Sequence, residues 1–274
     1  MIRFPNCKIN FGLHILGKRE DGYHNLETVF YPVSICDALE IMPLHDGSNT
    51  PQFTLSGLPV SGDAGNNLCM KAWQLLKDDF PQLPVITIHL HKAIPMGAGL
   101  GGGSADGAFM LMMLKETFNL DISTERLARY ALQLGSDCPF FIYNKPCFAT
   151  GRGEIIEPVN INLSGYYFYI INPNIHINTG EAFRQLQYQT HPQSLQTIIQ
   201  QPIEQWKHVL CNDFEKGVVK QYSVVGDLIQ RLYQHGAIYA AMSGSGSTVF
   251  GIFKNKPEAL LLPGDYFTKI VAAG

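Results

Sequence analysis

Pro95-Met96-Gly97-Ala98-Gly99-Leu100-Gly101-Gly102-Gly103-Ser104-Ala105 is the stretch whose reading decides the fold, with glycine at five of the seven positions from 97 to 103. Glycine gives up more backbone freedom on folding than any other residue, so such a cluster weakens a regular element and makes sense where backbone must approach a ligand closely. Before it, Val85–Lys92 alternates as a strand, with Ile86, Ile88 and Leu90 inward; after it comes the apolar run Ala108–Leu114, read as a helix. A strand, a glycine loop and a helix in that order aim free N–H groups and the positive helix end at one point, a geometry that binds phosphate. A flexible linker is the bland alternative, but linkers seldom join a buried strand to an apolar helix.

Two known phosphate loops can be compared with it. A Walker loop ends Gly-Lys-Ser/Thr, whereas here Gly103 meets Ser104 with no lysine between. Gly97-x-Gly99-x-x-Gly102 satisfies the dinucleotide pattern literally and follows a strand. That pattern also needs an acidic residue ending the next strand about twenty residues on. Here the distance reaches Asp121–Glu125, which reads as a turn and a helix start, so an NAD-type dehydrogenase is the weaker alternative.

Outward from the loop, Lys8–Leu16 alternates, with Ile9, Phe11, Leu13 and Ile15 on one face and Lys8, Asn10 and His14 on the other: a strand with one buried face. Asp21-Gly22 marks a turn, Leu26–Val33 a second strand and Asp37–Met42 a third. Asn67–Lys77 has helical spacing, and Ser123 reads as the N-cap of a helix that Gly135 stops. Near Gly151–Gly153 a boundary is expected, giving domains 1–153 and 154–274. Beyond it come a buried strand at Tyr166–Ile171, helices around Glu204–Cys211 and Val224–Gln234, and strands Ile238–Met242 and Thr248–Phe253 about the turn Ser243-Gly244-Ser245-Gly246-Ser247. Strands and helices mix without a regular alternation, so the class is α+β.

With 46% hydrophobic and 16% charged residues and a net charge of −3, the 274-residue chain has material for a core and lacks the basic face of a nucleic-acid binder. The six cysteines (7, 36, 69, 138, 147 and 211) show neither a C-x-x-C pair nor metal-type spacing, and no metal site is expected. His89 and His91 share a strand face without a third ligand. The N-terminus has no signal-like apolar segment and no stretch is long enough to span a membrane, so a cytoplasmic protein is expected. Taken singly, Lys8 reads as a solvated strand residue, Asp137 as a turn residue, and Asp106 as a helix-start acid favoured by the dipole.

Four segments in order resemble the GHMP kinase superfamily: Lys8–Leu13 running to Arg19-Glu20-Asp21-Gly22-Tyr23-His24-Asn25-Leu26, Pro95–Ser104, Leu134-Gly135-Ser136-Asp137-Cys138-Pro139-Phe140-Phe141, and Ser243–Ser247. The resemblance spans nearly the whole chain and is strongest to the branch acting on the cytidine diphosphate ester of 2-C-methyl-D-erythritol. Ser136 and Cys138 stand where Ala and Val are frequent, and the last turn has serines where threonine is frequent.

The resemblance implies a two-domain GHMP kinase fold, with a ribosomal-protein-like N-terminal domain and a ferredoxin-like C-terminal one. It implies ATP as phosphoryl donor with Mg2+, and transfer to the 2-hydroxyl of a small molecule carrying a cytidine diphosphate group, a step of the non-mevalonate route to isoprenoid precursors. Asp137 is implied as catalytic base and Lys8 as its partner. ATP is implied at Pro95, Met96, Gly97, Ala98, Gly99, Leu100, Gly101, Gly102, Gly103, Ser104 and Ala105, with Asn67 and Lys92 beside the adenosine. Substrate is implied at Asn10, Tyr23, His24, Thr179, Phe183, Ser243 and Gly244: Tyr23 and Phe183 sandwich the pyrimidine while His24 bonds its edge. Asp106 is a candidate magnesium contact. Neither nucleic acid nor membrane is an expected partner, and a monomer or weak homodimer is expected. The alternatives are another kinase of the superfamily (homoserine, mevalonate or sugar), the dehydrogenase, and a nucleotide binder without turnover.

Overall fold

In the computed structural model, which describes residues 1–60, 64–184, 186 and 188–273, β1 (Ile2–Arg3) leads into two long strands, β2 (Asn6–Lys18) and β3 (His24–Cys36). Then come β4 (Ala38–Pro43), β5 (Gln52–Gly57), α1 (Leu68–Asp79) and β6 (Ile86–Lys92), followed by α2 (Gly102–Thr117), α3 (Thr124–Leu134) and α4 (Cys138–Tyr143). β7 (Cys147–Thr150), β8 (Ile155–Pro158) and β9 (Tyr167–Asn172) precede α5 (Thr179–Arg184), α6 (Leu195–Ile198), α7 (Ile203–Val209), α8 (Asp213–Gln221) and α9 (Ser223–Gln234). The last are β10 (Tyr239–Met242), β11 (Val249–Phe253) and β12 (Phe267–Ala272). The α+β reading holds: among the described residues the sheets are three, of four strands each, and β5 with β6 makes a parallel pair beside antiparallel ones.

The chain packs as two units that interleave in sequence. Unit 1 is Met1–Cys7, Ile35–Met96 and Gly101–Asn144; unit 2 is Lys8–Ser34, Gly97–Leu100 and Lys145–Gly274. The expected division at residue 153 is a single cut, whereas packing crosses over several times. The crossover has a plain cause: β3 hydrogen-bonds with β7, Thr28 opposite Ala149, so the middle of β2 and β3 packs with the later part of the chain.

Unit 1 holds the sheet β1-β4-β6-β5 with α1 to α4. Period-two alternation in β6 buries Ile86, Ile88 and Leu90, while His89 and His91 face solvent and share the Ser56 hydroxyl at 2.9 Å. Helix α1 starts where the Asn67 side chain accepts from the Cys69 N–H (2.9 Å), and α3 where Ser123 Oγ accepts from the Arg126 N–H (3.2 Å). Ala105, Ala108, Met110, Leu111, Met113 and Leu114 of α2 are all buried, each large one stabilising the unit by roughly 1.5–3 kcal/mol. The helix begins at Gly102, so that Asp106 stands in its opening turns as expected, and there it joins a buried ion cluster that composition cannot show.

Unit 2 holds the sheets β2-β3-β7-β8 and β10-β11-β9-β12. β2 is buried without break from Cys7 to Ile15, so the expectation of one buried face is corrected: the polar side chains of Lys8, Asn10 and His14 are inside as well. Phe11 packs between Tyr31 and Trp206 (ring centroids 5.2 Å from each) and beside Phe250 (5.8 Å). A second cluster, around Ile171, Val218, Leu228, Leu232, Met242 and Val249, seats α8 and α9 on the sheet. None of the described helices is long and apolar enough to cross a membrane.

Candidate active site

The glycine stretch is shared by the two units. Gly97–Leu100 packs with unit 2 and Gly101 onward with unit 1. Gly97, Gly99 and Gly101 have φ of 63°, 78° and 71°, a left-handed region that side-chain-bearing residues rarely enter.

In unit 2 the first part of the stretch lies on the turn Ser243–Ser247. A Cβ on Gly99 would stand 2.1 Å from the Ser243 carbonyl oxygen, so only glycine fits. Ser243 Oγ donates to the Gly99 carbonyl (2.9 Å), and the Thr248 N–H donates to that of Ala98 (3.3 Å). The Lys8 N–H donates to the Leu100 carbonyl (2.9 Å), tying β2 to the same backbone. Lys8 Nζ donates to Asn10 Oδ1 (2.7 Å) and stands 5.0 Å from the centre of the Phe30 ring. Asn10 then donates from Nδ2 to Thr28 Oγ1 (2.9 Å), and its N–H donates to Ser243 Oγ (3.2 Å). A buried ammonium is costly unless it is hydrogen-bonded, and this ladder of amide and hydroxyl groups answers that need. Thus Lys8, Asn10, Gly99, Ser243 and Gly244, which the sequence placed in one site, meet in one unit. Thr179, at the start of α5, joins them through a hydroxyl contact with Ser245 Oγ (3.0 Å).

Tyr23, His24 and Phe183 are arranged differently from the expected sandwich. Phe183 stacks on His24 (centroids 4.4 Å apart, 16° between planes), and Phe214 meets its edge at 4.8 Å. Tyr23 is 52% exposed, with the Arg152 guanidinium 4.5 Å from its ring centre. The reason is the turn Asp21–Tyr23, where Asp21 Oδ1 accepts from the Tyr23 N–H (3.1 Å), so that successive side chains leave on different sides. Burial, and then the charge of Lys18, holds the His24 imidazole below its ordinary pKa. At neutral pH it is the uncharged ring, with one donor and one acceptor.

In unit 1 the second part of the stretch opens α2. Gly101 is the N-cap, and Gly102, Gly103, Ser104 and Ala105 form the first turn, whose leading N–H groups have no acceptor within the helix. Beneath it lies the trio Asp37–Lys92–Asp106. Lys92 Nζ donates to Asp37 Oδ2 and, at 2.7 Å, to Asp106 Oδ2, while Asp37 Oδ1 accepts from the N–H groups of Ala93 (2.6 Å) and Ile94 (2.9 Å). One carboxylate therefore fixes the exit of β6 and another the first turn of α2. Lys92, expected beside adenosine, is fully buried with its ammonium taken up by these acids; Asn67, expected there too, spends its side-chain oxygen on capping α1.

Asp106 is inside the unit rather than on a solvated helix start. Burial raises its pKa to about 7; Lys92 opposes the shift and Asp37 adds to it. Its Oδ1 has no hydrogen-bond partner among the described residues. Burial alone would lower Lys92, but the two carboxylates hold it above its ordinary value. Pro95 and Met96 lead into the stretch, and Met96 is 44% exposed. Asp137 is half-buried at the N-cap of α4 and does not cap it with its side chain. Its neighbour Cys138 hydrogen-bonds Ser104, and burial pushes that thiol up to about 12.

Sequence reading missed Asp37, Asn172 and Asn212. Asn212 Nδ2 donates to the carbonyls of Met242 (2.9 Å) and Gly244 (2.8 Å), and Asn172 Nδ2 to Thr248 Oγ1 (3.0 Å), so the Ser243–Ser247 turn is clamped from two sides. No local pattern marks them, since each partner lies far along the chain. The dinucleotide reading fails on topology: Asp121–Glu125 leads into α3 and ends no strand.

The profile of the GHMP kinases N terminal domain matches residues 67–145, and that of the GHMP kinases C terminal domain matches 194–262. The 4-diphosphocytidyl-2-C-methyl-D-erythritol kinase of Bacteroides fragilis (strain YCH46) is 52% identical over 266 residues, 97% of this chain and 96% of the relative. A crystal structure of 4-(cytidine 5'-diphospho)-2C-methyl-D-erythritol kinase superposes with a TM-score of 0.80 at 28% identity, over 93% of this chain and 91% of the other. The mevalonate kinase of Methanococcus jannaschii, 12% identical, shares the fold with a TM-score of 0.68 over 99% and 98% of the two chains.

Proposed function

This chain belongs to the GHMP kinases, and from that premise we propose that it transfers the γ-phosphoryl group of ATP to the 2-hydroxyl of 4-diphosphocytidyl-2-C-methyl-D-erythritol. The products are ADP and the 2-phosphate, a step of the non-mevalonate route to isoprenoid precursors. The observation that carries the reading is the glycine stretch itself: left-handed glycines at 97, 99 and 101 followed at once by the N-terminus of α2. Successive N–H groups in such a path make a concave seat for the β- and γ-phosphates, and the helix end adds positive potential.

Asp137 is the general base. As the substrate oxygen attacks the γ-phosphorus, the carboxylate accepts the hydroxyl proton and the bond to the ADP oxygen breaks. Lys8, held by Asn10, supplies the cation that stabilises charge on the transferring group. The uncharged His24 presents a donor and an acceptor to the cytosine edge, with Phe183 and Tyr23 as the aromatic surfaces at hand. Magnesium, coming with the nucleotide, would neutralise phosphate charge. Ser104 and Asp106, oxygen donors in the first turn of α2 of the kind this ion takes, would hold it directly or through water, Asp106 through its unpartnered Oδ1. Both reactants are water-soluble, in keeping with a cytoplasmic enzyme.

A coupled assay of ADP release tests the assignment, with the cytidine diphosphate substrate set against homoserine, galactose and mevalonate. Turnover on the first alone is expected. Preference for another alcohol would make the chain a different GHMP kinase, and nucleotide binding without ADP release from any substrate would remove the activity.

A further inference from the structure

Outside the groups used above, five titratable side chains converge in unit 2: His14 on β2, Glu27 on β3, His191 between α5 and α6, Cys211 between α7 and α8, and Asp213 at the start of α8. Their spacing in sequence shows nothing of this, since nearly two hundred positions separate the first from the last two. One donor atom from each of His14, His191 and Cys211 lies within 4.8 Å of the other two. We propose that these three side chains bind a zinc-class divalent cation.

The proton positions favour it. Glu27 Oε1 lies 2.9 Å from His14 Nδ1 and Asp213 Oδ2 lies 3.0 Å from His191 Nε2. A carboxylate only accepts, so those nitrogens carry the protons, and in the neutral imidazoles His14 Nε2 and His191 Nδ1 are the lone-pair donors. Carboxylates bound to the far nitrogens of two imidazoles are the outer-shell arrangement that fixes metal-binding histidines. Glu27 is itself held: burial would raise its pKa, but bonds from His14, the Leu195 N–H and Ser194 keep it lowered. Asp213 Oδ2 also accepts from the Ile15 N–H (2.7 Å), while its buried Oδ1 has no hydrogen-bond partner among the described residues. The two buried carboxylates leave a negative charge that a cation would offset.

The spacing fits as well. Zinc bonds of about 2.3 Å to sulfur and 2.0–2.1 Å to nitrogen at a tetrahedral angle put those two ligands about 3.5 Å apart. Cys211 Sγ is 3.4 Å from His14 Nε2. The imidazoles stack with centroids 3.5 Å apart and 5° between planes. Parallel rings aim their lone pairs in parallel, so coordination requires His191, on its connecting segment, to tilt from the stack. The alternative use, a cysteine nucleophile with His14 as base, is opposed by the thiol's own chemistry. Burial, then Asp213 and Glu215, push it up to about 11, so it is not ionised at neutral pH. A bound cation would displace that proton to solvent, giving three protein ligands and one open position.

Titration of the metal-free chain with Zn2+ against a chromophoric chelator, and with Co2+ followed by absorbance, tests the site. One ion per chain and a sulfur-to-cobalt charge-transfer band are expected. Cys211→Ser should abolish the band, and both Cys211→Ser and His191→Ala should weaken Zn2+ binding by about 100-fold or more. Glu27→Gln should weaken it by roughly 10–100-fold. Cys211 is exposed, so Cys211→Ser should keep the wild-type melting temperature without metal. Absence of a charge-transfer band in the wild type, or Zn2+ affinity unchanged in Cys211→Ser, overturns the proposal.

Discussion

Gly97–Leu100 and Gly101–Ala105 are consecutive in sequence, yet the first is held by uncharged amides, hydroxyls and carbonyls of unit 2 and the second is braced by the three buried charges Asp37, Lys92 and Asp106 of unit 1. The neutral half depends on close backbone approach, where an added methyl group has nowhere to go. The charged half leaves room for a side chain at Gly103 and depends on protonation. One loop is thus exposed to two kinds of failure, steric on one side and electrostatic on the other.

The largest effect is expected at Asp137, which belongs to unit 1 but, unlike the trio there, is assigned to chemistry rather than to bracing. Asp137→Asn should lower kcat by roughly 10²–10⁴-fold, with the melting temperature and ATP affinity nearly unchanged. Near-wild-type turnover in the folded variant would strip Asp137 of that role. Next comes the neutral half: Gly99→Ala combines positive φ with a 2.1 Å clash against backbone and should destabilise the chain by about 2–4 kcal/mol. Denaturant unfolding reads it directly, and a loss under 1 kcal/mol would mean that the loop is loosely seated.

Smaller effects sharpen the contrast. Tyr23→Ala and His24→Ala in unit 2 should each raise KM for the cytidine substrate about ten- to hundred-fold, the scale of a lost base contact of about 1–3 kcal/mol, while ATP affinity holds. If ATP and substrate parameters drift together as stability falls, the two residues serve packing instead. Asp106 gives the charged half its pH signature. Its folded pKa of about 7 lies above the ordinary 3.8, so the folded chain carries the extra proton between those values. Stability is then lost as pH rises through that window, by up to about 1.4 kcal/mol per pH unit relative to Asp106→Asn. Parallel stability curves for the two proteins from pH 4 to 7 would remove the effect. The smallest change is expected at Gly103, inside α2, where a Cβ would meet only the flexible end of Met96 at 3.4 Å. Gly103→Ala should leave stability unchanged or raise it by about 0.5–1 kcal/mol, and a loss like that of Gly99→Ala would erase the difference between the halves.

Much of this was legible in the sequence where the signal is local. The glycine stretch, the caps at Ser123 and Gly135, and the alternation in β2 and β6 each rest on neighbours a few residues apart. The double burial of β2 was not legible, because alternation reports the pattern of polarity and not what covers the polar face. Asp37, Asn172 and Asn212 carry no motif, and their partners lie dozens of residues away. The pairing of Lys92 with Asp37, fifty-five positions away, was hidden for the same reason, since the resemblance alone had placed that lysine near the adenosine. Tyr23 and Phe183 were paired through the resemblance, and the contacts of each ring, Arg152 over Tyr23 and His24 against Phe183, again join residues far apart in the chain.

The central claim is that ATP loses its γ-phosphoryl group to a substrate alcohol and not to water. Phosphorus NMR of the chain with magnesium ATP and 4-diphosphocytidyl-2-C-methyl-D-erythritol follows both fates in one tube. The account predicts one new phosphomonoester resonance per ADP formed, growing roughly 10²–10⁴-fold more slowly with Asp137→Asn. ADP accompanied by inorganic phosphate, or an unchanged spectrum with folded protein, would contradict it.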